Sequence, residues 1–319
     1  EAQVLPLNDA RVTLQFTPRL SAPVHSVGPA RCALDSPFVP EFFSFLAGAA
    51  NRVAVRLRRQ VTPRSQSPVQ NRSSTQTEGS RVMRQEWPCI AQLSDTHIPA
   101  QGALPNGIDS AQRLERAVQW LLSADLPVSA CVVSGDLVDL GTPEEYQRLR
   151  TLLDPLLKEM PVLLALGNHD ARAPFLEVFH DYPGMEAARA LGWVQYVHAI
   201  PGGSQVVVLD SLEPGLDGGR LCEERLQWME GVLTDSRRPS LVVVHHPAVP
   251  VGNAVFDAMR LERPDRLLQI LQRHGATAPV ELILHGHVHR SISSTLGGIP
   301  IWVGPSTAYP YSLTYSRTH

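Results

Sequence analysis

Residues 280–290 read VELILHGHVHR. The first half, Val280–Leu284, is a short apolar run of strand length. The second half puts His285, His287 and His289 within five residues, around Gly286. Three imidazoles so close together at the end of an apolar run are hard to explain by packing. The same pattern recurs four times toward the N-terminus. Leu241–Val244 runs into His245-His246-Pro247, and Pro161–Leu166 into Gly167-Asn168-His169-Asp170. Val128–Ser134 runs into Gly135-Asp136, and Cys89–Ser94 into Asp95-Thr96-His97. Taken singly, an Asp-x-His or a Gly-Asp is a chance pair or a turn. All five in order, each closing an apolar run, are not. They hold seven of the chain's twelve histidines. In an open α/β sheet the C-terminal strand edge is where sites form. Gly135, Gly167 and Gly286 let the backbone turn tightly there.

Helical patterns separate these strands. Asp109–Ala124 puts Leu114, Ala117, Val118, Leu121 and Leu122 on one face, with Asp109 or Ser110 as N-cap. Thr142-Pro143-Glu144-Glu145 is a capping box with Pro at the first helical position. Ala173–His180, Leu221–Thr234 and Pro264–Arg273 read as further helices, the last ended by Gly275. Two hairpins are expected: Val194–Ala199 with Gln205–Leu209 across Gly202-Gly203, and Ser291–Leu296 with Ile299–Val303 across Gly297-Gly298. Strands alternating with helices, plus antiparallel pairs, predict an α/β fold with mixed sheets.

Composition narrows the function classes. The chain has 319 residues, 43% hydrophobic and 18% charged, with formal net charge −3. That supports a large core and gives no basic field for nucleic acid. No apolar window is long enough to span a membrane, and no secretory signal is evident. Cys32, Cys89, Cys131 and Cys222 are scattered, which argues against a disulfide framework or a thiolate metal site. The expectation is a cytoplasmic enzyme.

Charge is uneven. Residues 1–82 carry ten Arg against five acids, whereas 83–319 are net acidic. Residues 60–80 are rich in Ser, Thr, Gln and Pro and predict disorder. Asn51–Arg59 alternates and reads as a strand or a basic arm. The first Met is Met83, six residues before the first patterned strand. The expected division is therefore 1–82, disordered or not native to the domain, and 83–319, the domain that carries the chemistry.

As a set, D-x-H, G-D, G-N-H-D, H-x-P and G-H-x-H resemble the calcineurin-like metallophosphoesterase superfamily, over about Cys89 to Val303. Four features are most similar to bacterial class III cyclic-nucleotide phosphodiesterases. They are Val133-Ser134-Gly135-Asp136-Leu137-Val138-Asp139, Gly167-Asn168-His169-Asp170 with Arg172, His245-His246-Pro247, and Gly286-His287-Val288-His289-Arg290. Glycerophosphodiesterases of the same branch share them. The resemblance implies a four-layer α/β/β/α sandwich of two mixed sheets.

It also implies two metal ions. Asp95, His97, Asp136 and His289 would hold one. Asp136, Asn168, His245 and His287 would hold the other, with Asp136 bridging. Oxygen and imidazole donors without thiolate suit Fe, Mn, Zn or Co. The implied reaction is in-line attack on a small phosphodiester by a hydroxide shared between the ions, a 3′,5′-cyclic nucleotide such as cyclic AMP being favoured. His169 is not a ligand in the family, and the role implied is catalytic, on the phosphoryl or leaving group. Asp170 either orients His169 or caps the next helix. Arg172 either reaches a phosphate oxygen or is a surface residue, and His246 is at most an outer partner of a ligand or a substrate contact. The rivals are a glycerophosphodiesterase, a broad phosphomonoesterase and a non-catalytic scaffold, the last disfavoured because every ligand position is filled. The acidic 83–319 region argues against a nuclease gripping a long backbone. A homodimer is left open. The tyrosines of Pro305–Tyr315 are candidates to line the substrate mouth or to cap a sheet edge.

Overall fold

The computed structural model describes residues 89–124, 126–277 and 279–311, together with strand segments 42–43 and 53–56. The 60–80 stretch lies outside the described residues. So do 312–319, including the end of the tyrosine segment.

Two mixed sheets form the centre. The first has the order β1 (Phe42–Phe43), β2 (Val53–Arg56), β3 (Cys89–Leu93), β4 (Val128–Ser134), β5 (Val162–Ala165). β3, β4 and β5 run parallel, while β2 pairs antiparallel with β3 and β1. The second sheet runs β10 (Ile292–Leu296), β11 (Ile299–Val303), β9 (Val280–His285), β8 (Ser240–Val243), β7 (Gln205–Val208), β6 (Tyr196–Ala199). Both expected hairpins are its antiparallel edges, and β7, β8, β9 and β11 are parallel.

Strand alternation explains the layering. Val206, Val208, Leu241, Val243, Leu282 and Leu284 join the buried cluster that holds β3, β4 and β5. The residues between them (Val207, Val242, Ile283) pack instead with Leu226, Met229 and Leu233 of α5 (Glu223–Ser236) and Leu267, Ile270 and Leu271 of α7 (Pro264–His274). A two-residue period thus assigns one face to the partner sheet and the other to helices. Helices α1 (Ser110–Ser123), α2 (Pro143–Leu157) and α3 (Arg172–Val178) cover the outside of the first sheet. The result is the four-layer α/β/β/α sandwich.

Local chemistry sets the helix starts. The Asp109 side chain accepts from Gln112 N at 2.9 Å. Thr142 and Glu145 close the capping box at the start of α2. Caps of this kind contribute about 1 kcal/mol each. Gly275 ends α7, as its position predicted. Two readings are corrected. Leu122 is exposed, because it sits at the edge of the apolar arc centred on Leu114, Val118 and Leu121. Helices α4 (Met185–Leu191) and α6 (Ala254–Ala258) were not expected. Among the described residues no helix is long and apolar enough to cross a membrane.

Candidate metal centre

The ends of β3, β4, β5, β8 and β9 meet. Asp95 N donates to Gly135 O at 3.0 Å, His97 N to Asp136 O at 3.0 Å, and Gly286 N to His245 O at 2.9 Å. The backbone is strained where these loops turn. Asp95, His97, Asp136, His287 and His289 all have positive φ, between 40° and 73°. Left-handed non-glycine residues are uncommon and cost of order 1–3 kcal/mol each. Five of them converging on one spot mark a site. Gly167 shows how tightly the loops pack, since a Cβ there would lie 2.2 Å from Asp136 Oδ1 and 2.7 Å from His245 Nε2.

Two donor groups whose residues are all buried lie side by side, and a third, His97, Asp139 and His169, shares His97 with one of them. Asp95, His97, Asp136 and His289 offer ligand atoms within 4.8 Å of one another. His97 Nε2 is 3.6 Å from Asp136 Oδ2, and His289 Nε2 is 3.5 Å from Asp95 Oδ1. His245, His246 and His287 form a second such group. It is joined to the first by Asp136 Oδ2, 3.3 Å from His245 Nε2. Asn168 Oδ1 is 3.0 Å from His287 Nδ1. Asp136 Oδ2 therefore stands between the two groups.

Outer partners orient the rings. His245 Nδ1 bonds Ser134 O at 2.8 Å and His289 Nδ1 bonds Tyr309 O at 2.6 Å, so each ring presents Nε2 to the cluster. His245 Nε2, His287 Nε2 and His97 Nδ1 are buried without a hydrogen-bond partner. Buried polar atoms are seldom left so. Burial pulls His97 down to about 4 and His287 down to about 3, leaving unprotonated rings at neutral pH. Burial also opposes the charge of Asp136, but His245 and His97 hold its carboxyl well below the usual range. Asp136 in turn outweighs burial at His245 and lifts it to about 9. The neutral rings of His97 and His287, the orphaned nitrogens and a shared carboxylate fit cation binding, and a cation at His245 would displace the proton that Asp136 holds there.

The remaining expected residues are placed as follows. His169 lies beside the first group, its ring edge-on to His97 at 4.6 Å, and its N–H donates to Asp136 Oδ1 at 3.0 Å. His169 Nδ1 bonds Asp139 O at 2.8 Å, which leaves Nε2 as the free end. His246 has both ring nitrogens engaged, with Ser211 Oγ at 2.8 Å and Asp217 O at 3.2 Å. His285 is buried, its Nδ1 bonded to Val244 O. Arg172, considered for a phosphate contact, has two of its three guanidinium nitrogens engaged within the protein. It grips the buried Asp210 through Nε (2.6 Å) and Nη2 (2.9 Å) and donates to Leu212 O. A buried carboxylate needs such a partner, and Arg172 supplies it. Asp170 neither orients the His169 ring nor caps α3. Its oxygens accept from Gly167 N (2.8 Å), Leu137 N (3.1 Å), Val138 N (3.4 Å) and Tyr146 Oη (3.0 Å), tying the Asp136 loop to the Asn168 loop.

A strap after β11 completes the site. Ser306 Oγ donates to Asp95 O at 2.8 Å, and Thr307 N to Ser94 O at 2.8 Å. Arg113 holds Ala308 O, and Arg290 holds Tyr311 O. The strap stacks Tyr309 on His97 (centroids 5.4 Å) and Tyr311 on His289 (4.3 Å). Phe256, from α6, lies 5.7 Å from Tyr311 and 6.0 Å from His287. No signal in the sequence pointed to Phe256, because α6 is too short to show a period.

A family model described as calcineurin-like phosphoesterase matches residues 90–291. The chain is 31% identical to a probable cyclic nucleotide phosphodiesterase of Rhodococcus erythropolis, over 70% of this chain and 72% of that one. It is 31% identical to a cAMP/cGMP dual specificity phosphodiesterase of Mycobacterium tuberculosis, over 70% and 69% respectively. It is also 31% identical to the glycerophosphodiester phosphodiesterase GpdQ of Enterobacter lignolyticus, over 70% and 79%.

Proposed function

The chain belongs to the calcineurin-like phosphoesterase family, and from that premise we propose that it hydrolyses small phosphodiesters, with 3′,5′-cyclic nucleotides such as cyclic AMP favoured. The observation that carries this reading is Asp136 Oδ2 standing between two buried imidazole sets. Asp95, His97, Asp136 and His289 would hold one cation, and Asp136, Asn168, His245 and His287 would hold the other. Fe, Mn, Zn and Co all suit this oxygen and imidazole set. When bound, the two ions neutralise phosphoryl charge and make water acidic enough to attack near pH 7. The protein's own residues do the rest. The bonds to Ser134 O and Tyr309 O fix the rings of His245 and His289. The Asp139 carbonyl fixes His169 with Nε2 free to hold a proton for the departing oxygen. Tyr311 and Phe256 form an aromatic wall beside His287 and His289.

Rates of the metal-reconstituted enzyme on cyclic AMP, glycerophosphocholine, an aryl phosphodiester and an aryl phosphomonoester test the substrate class. Activity confined to the monoester rejects the diesterase reading. The similarity to a glycerophosphodiester phosphodiesterase favours a second reading, and a preference for glycerophosphocholine over cyclic AMP would select it.

Tyr311→Ala tests the wall. Stacking of a base on an aromatic ring is worth about 1–3 kcal/mol. Cyclic AMP turnover should therefore fall roughly tenfold more than aryl diester turnover. An unchanged ratio in both Tyr311→Ala and Phe256→Ala removes the stacking role. The same reading assigns catalysis to 83–319. A chain beginning at Met83 keeps every residue from Asp95 to His289 and should fold and turn over diesters. It also lacks β2, which covers the edge of β3. An insoluble or inactive truncate would show that 1–82 supplies a structural element.

A further inference from the structure

Behind Asp95, on the side away from the imidazoles it joins, lies a run of small polar residues in otherwise apolar strands. Gln92 and Ser94 flank the end of β3, and Ser134 closes β4. All are buried, both serines completely. Gln92 Nε2 donates to His285 O at 2.9 Å and to Ser134 Oγ at 2.8 Å. Ser134 Oγ donates to Ser94 Oγ at 2.7 Å, and Ser94 Oγ to Asp95 Oδ2 at 2.5 Å. The other carboxylate oxygen, Oδ1, accepts from His287 N at 2.9 Å and is the one near His289 Nε2.

The direction of this chain is fixed by counting donors. His285 O can only accept, so the amide facing it must present its NH2 group and not its oxygen. That NH2 then has one hydrogen left, for Ser134. Each hydroxyl has a single hydrogen. Ser134, having accepted from Gln92, has two acceptors, Ser94 Oγ at 2.7 Å and Leu93 O at 3.4 Å; the shorter contact takes its hydrogen, and Ser94 passes its own to Asp95. Every hydrogen runs the same way and ends on Asp95 Oδ2. Gln92 Oε1, meanwhile, is buried without a partner. The amide is therefore held for its NH2 group at the expense of its oxygen. Only a glycine at 286 permits the arrangement, since a Cβ there would lie 2.3 Å from Ser94 Oγ and 2.8 Å from Asp95 Oδ2.

We propose that Gln92, Ser134 and Ser94 form a one-way hydrogen-bond chain that positions Asp95, pinning Oδ2 so that Oδ1 is presented as an anionic ligand beside His97 and His289. This rests on the two-cation reading above. The three residues are positioning residues, since none touches a cation or substrate. They act on one of the two cation positions, because Asp95 belongs to only one donor group.

The test is a titration of the metal-free full chain with Mn2+, read as two binding constants, alongside thermal unfolding of the metal-free protein. Loss of an outer partner of a ligand typically weakens metal binding about 10–100-fold. Ser94→Ala should do so at one position, with the other unchanged and the metal-free unfolding temperature maintained. Gln92→Met keeps the volume and removes the donors, and should weaken the same position to a smaller degree. Wild-type binding at both positions in Ser94→Ala overturns the proposal. So does equal weakening at both with a lowered unfolding temperature, which would mean simple structural damage. Should Ser94→Ala fail to fold, Gln92→Met decides: selective weakening supports the chain and unaltered binding overturns it. A wild-type protein that binds fewer than two Mn2+ overturns the metal reading itself, and is told apart because the parent, not the variants, fails.

Discussion

Asp136→Asn is expected to leave the enzyme with well under two manganese ions per chain after reconstitution, and without measurable diester turnover. One oxygen, Asp136 Oδ2, lies 3.6 Å from His97 Nε2 and 3.3 Å from His245 Nε2, so a single substitution reaches both cation positions. Asn keeps the size and shape, and its side-chain oxygen can still accept from His169 N, as Asp136 Oδ1 does at 3.0 Å. The fold is therefore not the casualty. What disappears is the one negative charge common to both donor groups. Without it the imidazoles of His97, His245, His287 and His289 are left with Asp95 as the one carboxylate within the two buried donor groups, and Asp139 Oδ1 3.8 Å from His97 Nδ1 on the outer side. The effect should exceed the roughly 10–100-fold that follows loss of an outer partner. Elemental analysis and thermal unfolding of the metal-free variant check both halves. A folded Asp136→Asn protein with two ions per chain would sink the assignment of Asp136 as the shared ligand.

The parts of this site legible in the sequence are those written locally. A strand that ends in Asp, Asn or His announces itself within ten residues, and all five strands lie where their apolar runs placed them. The capping box at Thr142 and the two Gly-Gly hairpins are local too. What could not be read depends on partners far away in the chain. Arg172 was open between phosphate and surface because Asp210 is 38 positions on, and nothing near Arg172 signals it. Asp170 was open between two roles because its true partners, Leu137 N and Tyr146 Oη, belong to another loop and helix. Helix α4 has seven residues bounded by left-handed Gly184 and Gly192, too few for a 3.6-residue period to show. Gln92, Ser94 and Ser134 did carry a signal that went unused. Polar side chains inside strands this apolar must find partners when buried, and at the C-terminal edge of β3 and β4 those partners converge on the site.

His169→Ala should retain two cations per chain yet lose activity by about 10²–10⁴ on an alkyl diester, the range typical of a general acid. The first half follows from position. His169 is next to Asn168 in sequence, but its ring stands edge-on to His97 and is tied through Nδ1 to the carbonyl of Asp139, not to either donor group's shared oxygen. Its backbone N–H, which bonds Asp136 Oδ1, survives the substitution. The second half follows from what an alkoxide requires. An alkyl oxygen leaves poorly unless a proton reaches it as the bond breaks, and Nε2 is the free donor beside the cluster. An aryl oxygen leaves as a stable phenolate and needs little help, so the loss on an aryl diester should be much smaller. The comparison of the two substrates separates roles that a single rate cannot. Equal losses on alkyl and aryl diesters would remove the proton-donor role and leave His169 as a group that steadies the phosphoryl oxygens. Loss of a cation in the variant would instead make His169 part of the metal centre, through the donor group it forms with His97 and Asp139.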